Sequence, residues 1–327
     1  MRTARSSTSV AAPSTSTASL PKHPAGISCV CRSCFNEEQQ APAAKNSKHI
    51  KATHLLLTIS LAVVSLATFG CGKNSKSSEE RVKITLTGAT TVAPLIAEIA
   101  KRYEQAHPNV RIDVQTGGSS RGINDPKSSL VDIGMASRGL KENEQEGRKS
   151  HLLAQDGVCF IVHKSNPVNE LSDEQILGIF TGKIDNWKEV GGNDAAITVI
   201  NRAEGRSELE LMMTFYKVKP DDFKADLISG ENQHGLKAVA GDPNAITYMS
   251  VGASEFEAAN GAQLKLLPLR GIAASSKTVE KGEFPLSRPL ILVTKPEVPA
   301  HVQAFLDFAM SDKVHDLVRQ QSYVPIQ

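Results

Sequence analysis

Cysteine is nearly absent from the body of this 327-residue sequence: Cys29, Cys31, Cys34 and Cys71 fall in the first 71 residues, and only Cys159 lies beyond them. A lone cysteine closes no internal disulfide, so an apolar core must hold the body together. Within Val158-Cys159-Phe160-Ile161-Val162 the thiol is expected to be buried. The trio Cys29, Cys31 and Cys34 has no convincing fourth ligand nearby, and a zinc site wants four. Clustered His/Asp ligands are lacking too, which excludes a metal-dependent phosphatase, and no metal or other cofactor is expected. Tryptophan occurs once, as Trp187. It is expected to anchor the Asn186 turn, with ligand stacking as the alternative.

A strong charge of one sign is also missing. The formal net charge is +2, yet residues 1–71 carry seven Lys/Arg against Glu37 and Glu38, which leaves the remainder near −3. A nucleic-acid binder usually shows a basic domain, so no nucleic-acid partner is expected, and any anion specificity must be local. Long apolar runs are restricted to Leu55–Phe69. Fifteen helical residues rise only about 22 Å, short of the roughly 30 Å hydrocarbon core, so a signal peptide is expected rather than a permanent span. The run follows Lys45, Lys48 and Lys51 and ends at Gly70-Cys71. That junction resembles a bacterial lipoprotein cleavage site, with Cys71 as the lipidated residue, although Thr68 stands where leucine is usual.

What is present is a body able to bury a sizeable core, with 40% apolar and 22% charged residues over a length that normally divides into two domains. From Val82 onward, short β-branched runs alternate with amphipathic stretches, the pattern of α/β layering. Strands are expected at 82–86, 110–115, 130–135, 157–162, 197–200, 246–251, 264–268 and 289–293. Helices are expected at 92–105, 172–180 with Ser172 as N-cap, 208–216 and 301–310.

Several strands end in loops of small or hydroxylated residues, where ligands of open α/β sheets collect. Thr90 and Thr91, Ser119 and Ser120, and Ser207 stand at three helix starts, which offer free N–H groups and a positive dipole end to an anion. One such start is usually an ordinary N-cap; three in one chain point to a shared anion. Arg202 adds a planar fork of donors suited to phosphate oxygens.

The runs Thr87-Gly88-Ala89-Thr90-Thr91-Val92-Ala93-Pro94, Gly117-Gly118-Ser119-Ser120-Arg121-Gly122, Val131-Asp132-Ile133-Gly134-Met135-Ala136-Ser137 and Ile179-Phe180-Thr181-Gly182-Lys183-Ile184-Asp185-Asn186-Trp187 carry a resemblance. So do Tyr248-Met249-Ser250, Arg288-Pro289-Leu290 and Tyr323-Val324-Pro325. Together they resemble the phosphate-binding proteins of bacterial ABC-type importers, in the periplasmic-binding-protein superfamily. The resemblance implies a two-lobed α/β fold with the ligand cleft between the lobes. Lobe 1 is expected from 82–158 plus 252–327 and lobe 2 from 159–251, preceded by an extension and signal peptide (1–71) and a linker (72–81). It implies an extracytoplasmic, non-catalytic solute-binding subunit, a monomer in the periplasm or at the cell surface, tethered to the membrane through a lipid at Cys71. Its partners would be inorganic phosphate and a membrane ABC permease.

By the same resemblance Thr90, Ser119, Asp132 and Arg202 take ligand-contacting positions, and Glu204 holds the arginine. Asp132 would accept a hydrogen bond from the proton that monohydrogen phosphate carries and sulfate lacks, making it a selectivity filter; the alternative is a carboxylate capping a turn. Arg206-Ser207-Glu208 departs from the Ser-Gly-Thr of many members, which leaves open whether Arg206 supports the site or faces solvent. Another oxyanion or a phosphate-sensing role is the alternative. A serine hydrolase using Ser120 within Gly118-Ser119-Ser120-Arg121-Gly122 is the rival from another class. His234, His301 and His315 stand in no setting that completes a triad.

Overall fold

The computed structural model describes residues 81–326, which belong to one compact unit. The N-terminal extension, the signal peptide and Cys71 lie outside the described residues. β1 (Val82–Gly88) alternates buried and half-exposed residues, and α1 (Ala93–Ala106) buries Leu95, Ile96, Ile99, Ala100 and Tyr103 at helical spacing behind a proline in its first turn. There follow β2 (Val110–Thr116), α2 (Ser119–Asn124), β3 (Ile133–Ala136) and the 15-residue β4 (Lys149–His163). Next come α3 (Asp173–Phe180), β5 (Thr198–Arg202), α4 (Ser207–Tyr216), β6 (Leu227–Ser229) and α5 (Asn232–Gly241). The chain continues through β7 (Ala245–Ser250), α6 (Val251–Ala259), β8 (Leu264–Leu266), α7 (Ser276–Glu280) and β9 (Ser287–Thr294). It closes with α8 (Ala300–Ala309), α9 (His315–Gln320) and β10 (Val324–Pro325).

The strands run in the order β2-β1-β3-β9-β4-β7-β5-β6, with β8 and β10 pairing onto β4. β1 is parallel to β2 and β3, and β5 is parallel to β6 and β7. β4 joins the two halves. Its residues 149–157 pair with β9, and its residues 158–163 pair with β7 and β8.

Two apolar cores flank this crossover. One gathers Ile84, Leu86, Ile96, Ile133, Leu292 and Phe305; the other gathers Phe160, Phe180, Trp187, Met212, Tyr248 and Leu269. The expected return to the first lobe at 252 is corrected by these cores. Leu264, Leu267, Val279, Phe284 and Leu286 pack into the second core, because β8 pairs with the far half of β4, so the chain crosses back near Ser287. Trp187 is buried, and its Nε1 donates to the Asn244 carbonyl at 2.9 Å, a structural role. Ser172 caps α3, accepting from the Gln175 N–H at 3.2 Å. No helix among the described residues is long and apolar enough to cross a membrane.

Helix α2 lies almost directly on β3, and glycine makes this possible: a methyl group on Gly134 would sit 1.6 Å from the Gly122 carbonyl oxygen. Backbone faces backbone, so no side-chain rotation relieves the overlap. Gly134→Ala is therefore expected to cost about 3 kcal/mol or more and to lower the melting temperature by about 6–12 °C, measured by calorimetry.

Candidate anion-binding site

Helices α1, α2 and α4 all begin at the boundary between the two cores, each just after the carboxyl end of a strand. None is closed by a side-chain N-cap bond: Val92, Gly118 and Arg206 occupy the cap positions without one. The hydroxyls of Thr90, Thr91 and Ser207 are therefore not spent as ordinary caps and link the lobes instead, while Ser119 Oγ accepts from the Ser137 N–H at 3.1 Å within the first lobe. Ser137 Oγ lies 3.3 Å from Ser119 Oγ and 2.6 Å from Ser207 Oγ across the boundary. Thr91 Oγ1 donates to Glu208 Oε1 at 3.0 Å and accepts from Asn232 Nδ2 at 3.0 Å, while Thr90 Oγ1 donates to Asn232 Oδ1 at 3.1 Å.

Three arginines meet here. Arg202, at the end of β5, is 1% exposed. Its Nη1 donates to Ser229 Oγ at 3.1 Å and to the Glu231 carbonyl at 3.2 Å, and its Nη2 donates to Asn232 Oδ1 at 2.8 Å. Its Nη2 also lies 3.9 Å from Glu208 Oε2. Arg288, brought by β9, holds Asp156 Oδ2 at 2.9 Å, Glu208 Oε1 at 3.0 Å and Ser207 Oγ at 3.0 Å. Arg206 reaches across to the first lobe, where a methyl group on Gly118 would sit 3.2 Å from its Cδ and Nη1. Among the described residues its single ionic contact is Nη2 to Glu231 Oε1, at 3.4 Å.

The electrostatic balance separates these cations. Burial alone would raise the Glu208 carboxyl, but Arg288 and then Arg202 overcome it and hold the group down at about 2. Arg288 is held charged against its own burial by Glu208 and Asp156. Burial pulls Arg202 below the ordinary guanidinium value, with Glu208 opposing. Arg288 is thus matched by two carboxylates, whereas Arg202 Nε and Arg206 Nε and Nη1 are buried with no hydrogen-bond partner among the described residues. Buried unpaired N–H groups are costly, and an oxyanion would satisfy them.

The structure brings together Thr90, Thr91, Ser119, Arg202, Arg206 and Ser207. Ser120 sits at the margin: its N–H meets the Gly205 carbonyl at 3.3 Å and its hydroxyl donates to Glu210 Oε1 at 3.3 Å. Its hydroxyl is given to a carboxylate, and among the described residues no histidine hydrogen-bonds it, which removes the basis for a nucleophile at Ser120.

Two expectations are corrected. Asp132 does not reach the cluster. Its Oδ2 accepts from the Thr85 N–H at 2.7 Å and the Thr85 hydroxyl at 2.8 Å, midway along β1. It precedes β3, at the opposite end of that strand from Ser137, and its carboxylate is bonded to strand β1. Glu204 is exposed on the turn after β5 and does not hold Arg202; Ser229, Asn232 and the more distant Glu208 do. Sequence reasoning also missed Ser137, Glu208, Arg288, Asp156 and Asn232 as site residues. Ser137 and Arg288 lie inside family-like runs, so a signal was available for both. Asn232 opens α5 with no flanking motif.

Comparison with known proteins finds relatives along most of the chain. The phosphate-binding protein PstS of Bacillus subtilis (strain 168) is 28% identical over 293 residues, covering 85% of this chain and 95% of that protein. PstS of Borreliella burgdorferi is 28% identical over 263 residues, covering 78% and 94%. A Clostridium perfringens structure, described as a phosphate ABC transporter substrate-binding protein with bound phosphate, superposes with a TM-score of 0.70 at 32% identity, covering 75% of this chain and all of that one. The model of the PBP superfamily domain matches residues 72–313, and the chain therefore belongs to that superfamily.

Proposed function

We propose that this chain is the extracytoplasmic solute-binding subunit of an ABC importer, capturing inorganic phosphate between its lobes without catalysis. The observation that carries this is the set of buried, unpartnered donors on Arg202 and Arg206 beside the interlobe ladder Ser119, Ser137 and Ser207. Thr90 and Thr91 complete the ring from α1. Glu208, held ionised, can only accept hydrogen bonds. Monohydrogen phosphate can donate a hydrogen bond to it and sulfate cannot, so discrimination passes to Glu208 from Asp132. A lipid at Cys71 would tether the monomer to the membrane near its permease.

Isothermal titration of the purified chain with phosphate and, in parallel, sulfate tests this. Phosphate is expected to bind tightly and sulfate weakly, with Asp132→Asn behaving as the wild type. At a hundredfold excess over Kd, phosphate should add about 2.7 kcal/mol of stability. Absence of heat and of any thermal shift with phosphate would sink the proposal.

A further inference from the structure

Glu210 does work that the anion site itself does not require. It lies on α4, two residues beyond Glu208, and points to the rim of the interlobe boundary. Three groups of the first lobe converge on it: Arg138 Nε at 3.0 Å and Lys141 Nζ at 2.7 Å from Oε2, and the Ser120 hydroxyl at 3.3 Å from Oε1. The first two are ion pairs by distance rather than aligned hydrogen bonds. The first lobe fixes its half of this contact in advance. Arg138 is forked onto Glu144 at 2.6 and 2.9 Å, and Glu144 also accepts from the Lys141 N–H at 2.9 Å. One carboxylate thus braces the Arg138 guanidinium and the Lys141 main chain, and a further balancing charge comes from the other lobe. Arg138 and Glu210 are only 12% and 17% exposed, so solvent screens this contact less than an ordinary surface pair.

Resting on the anion-binding role proposed above, we infer that Glu210 is a positioning residue for anion capture, a rim latch that closes α4 onto Arg138 and Lys141. The contact exists only while the lobes are together, so it lengthens the lifetime of the closed, loaded state and has little effect on anion entry. Its free energy is a differential one, present in one conformation and absent in the other, which is what shifts such an equilibrium.

Stopped-flow and equilibrium binding of inorganic phosphate to the full chain test this. Glu210→Gln keeps the side-chain size and an acceptor for Ser120 but removes the charge. It is expected to raise the phosphate Kd on the order of tenfold, through faster dissociation at an almost unchanged association rate. Lys141→Met should weaken binding less, and the double variant should fall short of the sum of the two effects, a coupling that general loss of structure would not produce. Raising the salt should narrow the gap between wild type and Glu210→Gln. Wild-type Kd and dissociation rate in Glu210→Gln would overturn the latch. If the wild type binds no phosphate, the anion role falls separately, and small-angle scattering without added anion then decides the latch. A larger radius of gyration in Glu210→Gln than in wild type would support it, and equal radii would overturn it.

Discussion

Arg202→Met is expected to raise the phosphate Kd by about two orders of magnitude, corresponding to roughly 3 kcal/mol. Arg202 supplies a charge from the buried end of β5 and, in Nε, a buried donor with no partner among the described residues. Its two terminal nitrogens are held by Ser229, the Glu231 carbonyl and Asn232, so the guanidinium is already oriented before an anion arrives. Preorganisation of this kind removes most of the entropy cost of fixing a long side chain. Arg202→Lys would keep the charge but lose the planar fork, and should recover only part of the affinity. Titration calorimetry, with thermal melts confirming that each variant is folded, measures both. A methionine variant that binds like the wild type would assign the anion to other donors.

The second large effect falls on stability. Arg288→Met leaves Asp156 and Glu208 buried without the cation that both face, and breaking a buried pair this way costs about 3–5 kcal/mol. For a folded unit of this size that corresponds to a fall of about 6–20 °C in melting temperature. The pH dependence has a definite sign. In the folded protein the Glu208 carboxyl lies at about 2, below its ordinary value. The stability it contributes is therefore complete above its unfolded value, near 4.5, and is lost as pH falls toward 2. In Arg288→Met much of that stabilisation is already gone, so the gap from wild type should be widest from pH 7 down to about 4.5 and narrow on further acidification toward pH 2. Calorimetric melts across that range check it; a gap that widened toward acid would contradict the pairing of Arg288 with Glu208.

Much of the fold was legible because local signals agreed with the global arrangement. The alternation of β1, the apolar face of α1 and the Ser172 cap each fix an element within a residue or two of its observed bounds. Longer-range pairing was not legible. The first half of β4 carries polar residues such as His151, Gln155 and Asp156, so the sequence marks only its apolar second half, and nothing local says that β8 returns to it. The lobe boundary near 287 follows from that pairing alone.

The site divides along the same line. Hydroxyls at helix starts and Arg202 were readable because their chemistry is local to strand ends. Asp132 was assigned to the site by the family resemblance and not by its place on a strand; β3 begins at Ile133, so Asp132 stands at its amino end. The ligand edge is the carboxyl end of that strand, at Ser137, and Asp132 lies at the other. Arg288 stands 80 residues from Glu208 and Asn232 stands 141 residues from Thr91, so only tertiary structure shows that these pairs meet.

A crystal structure of the chain grown with phosphate tests the central claim most directly. We expect tetrahedral density between Arg202 Nε, Arg206, Ser119 and Ser207, with Asp132 still bonded to Thr85. Phosphate seated at Asp132, or an empty boundary between the lobes at saturating phosphate, would contradict it.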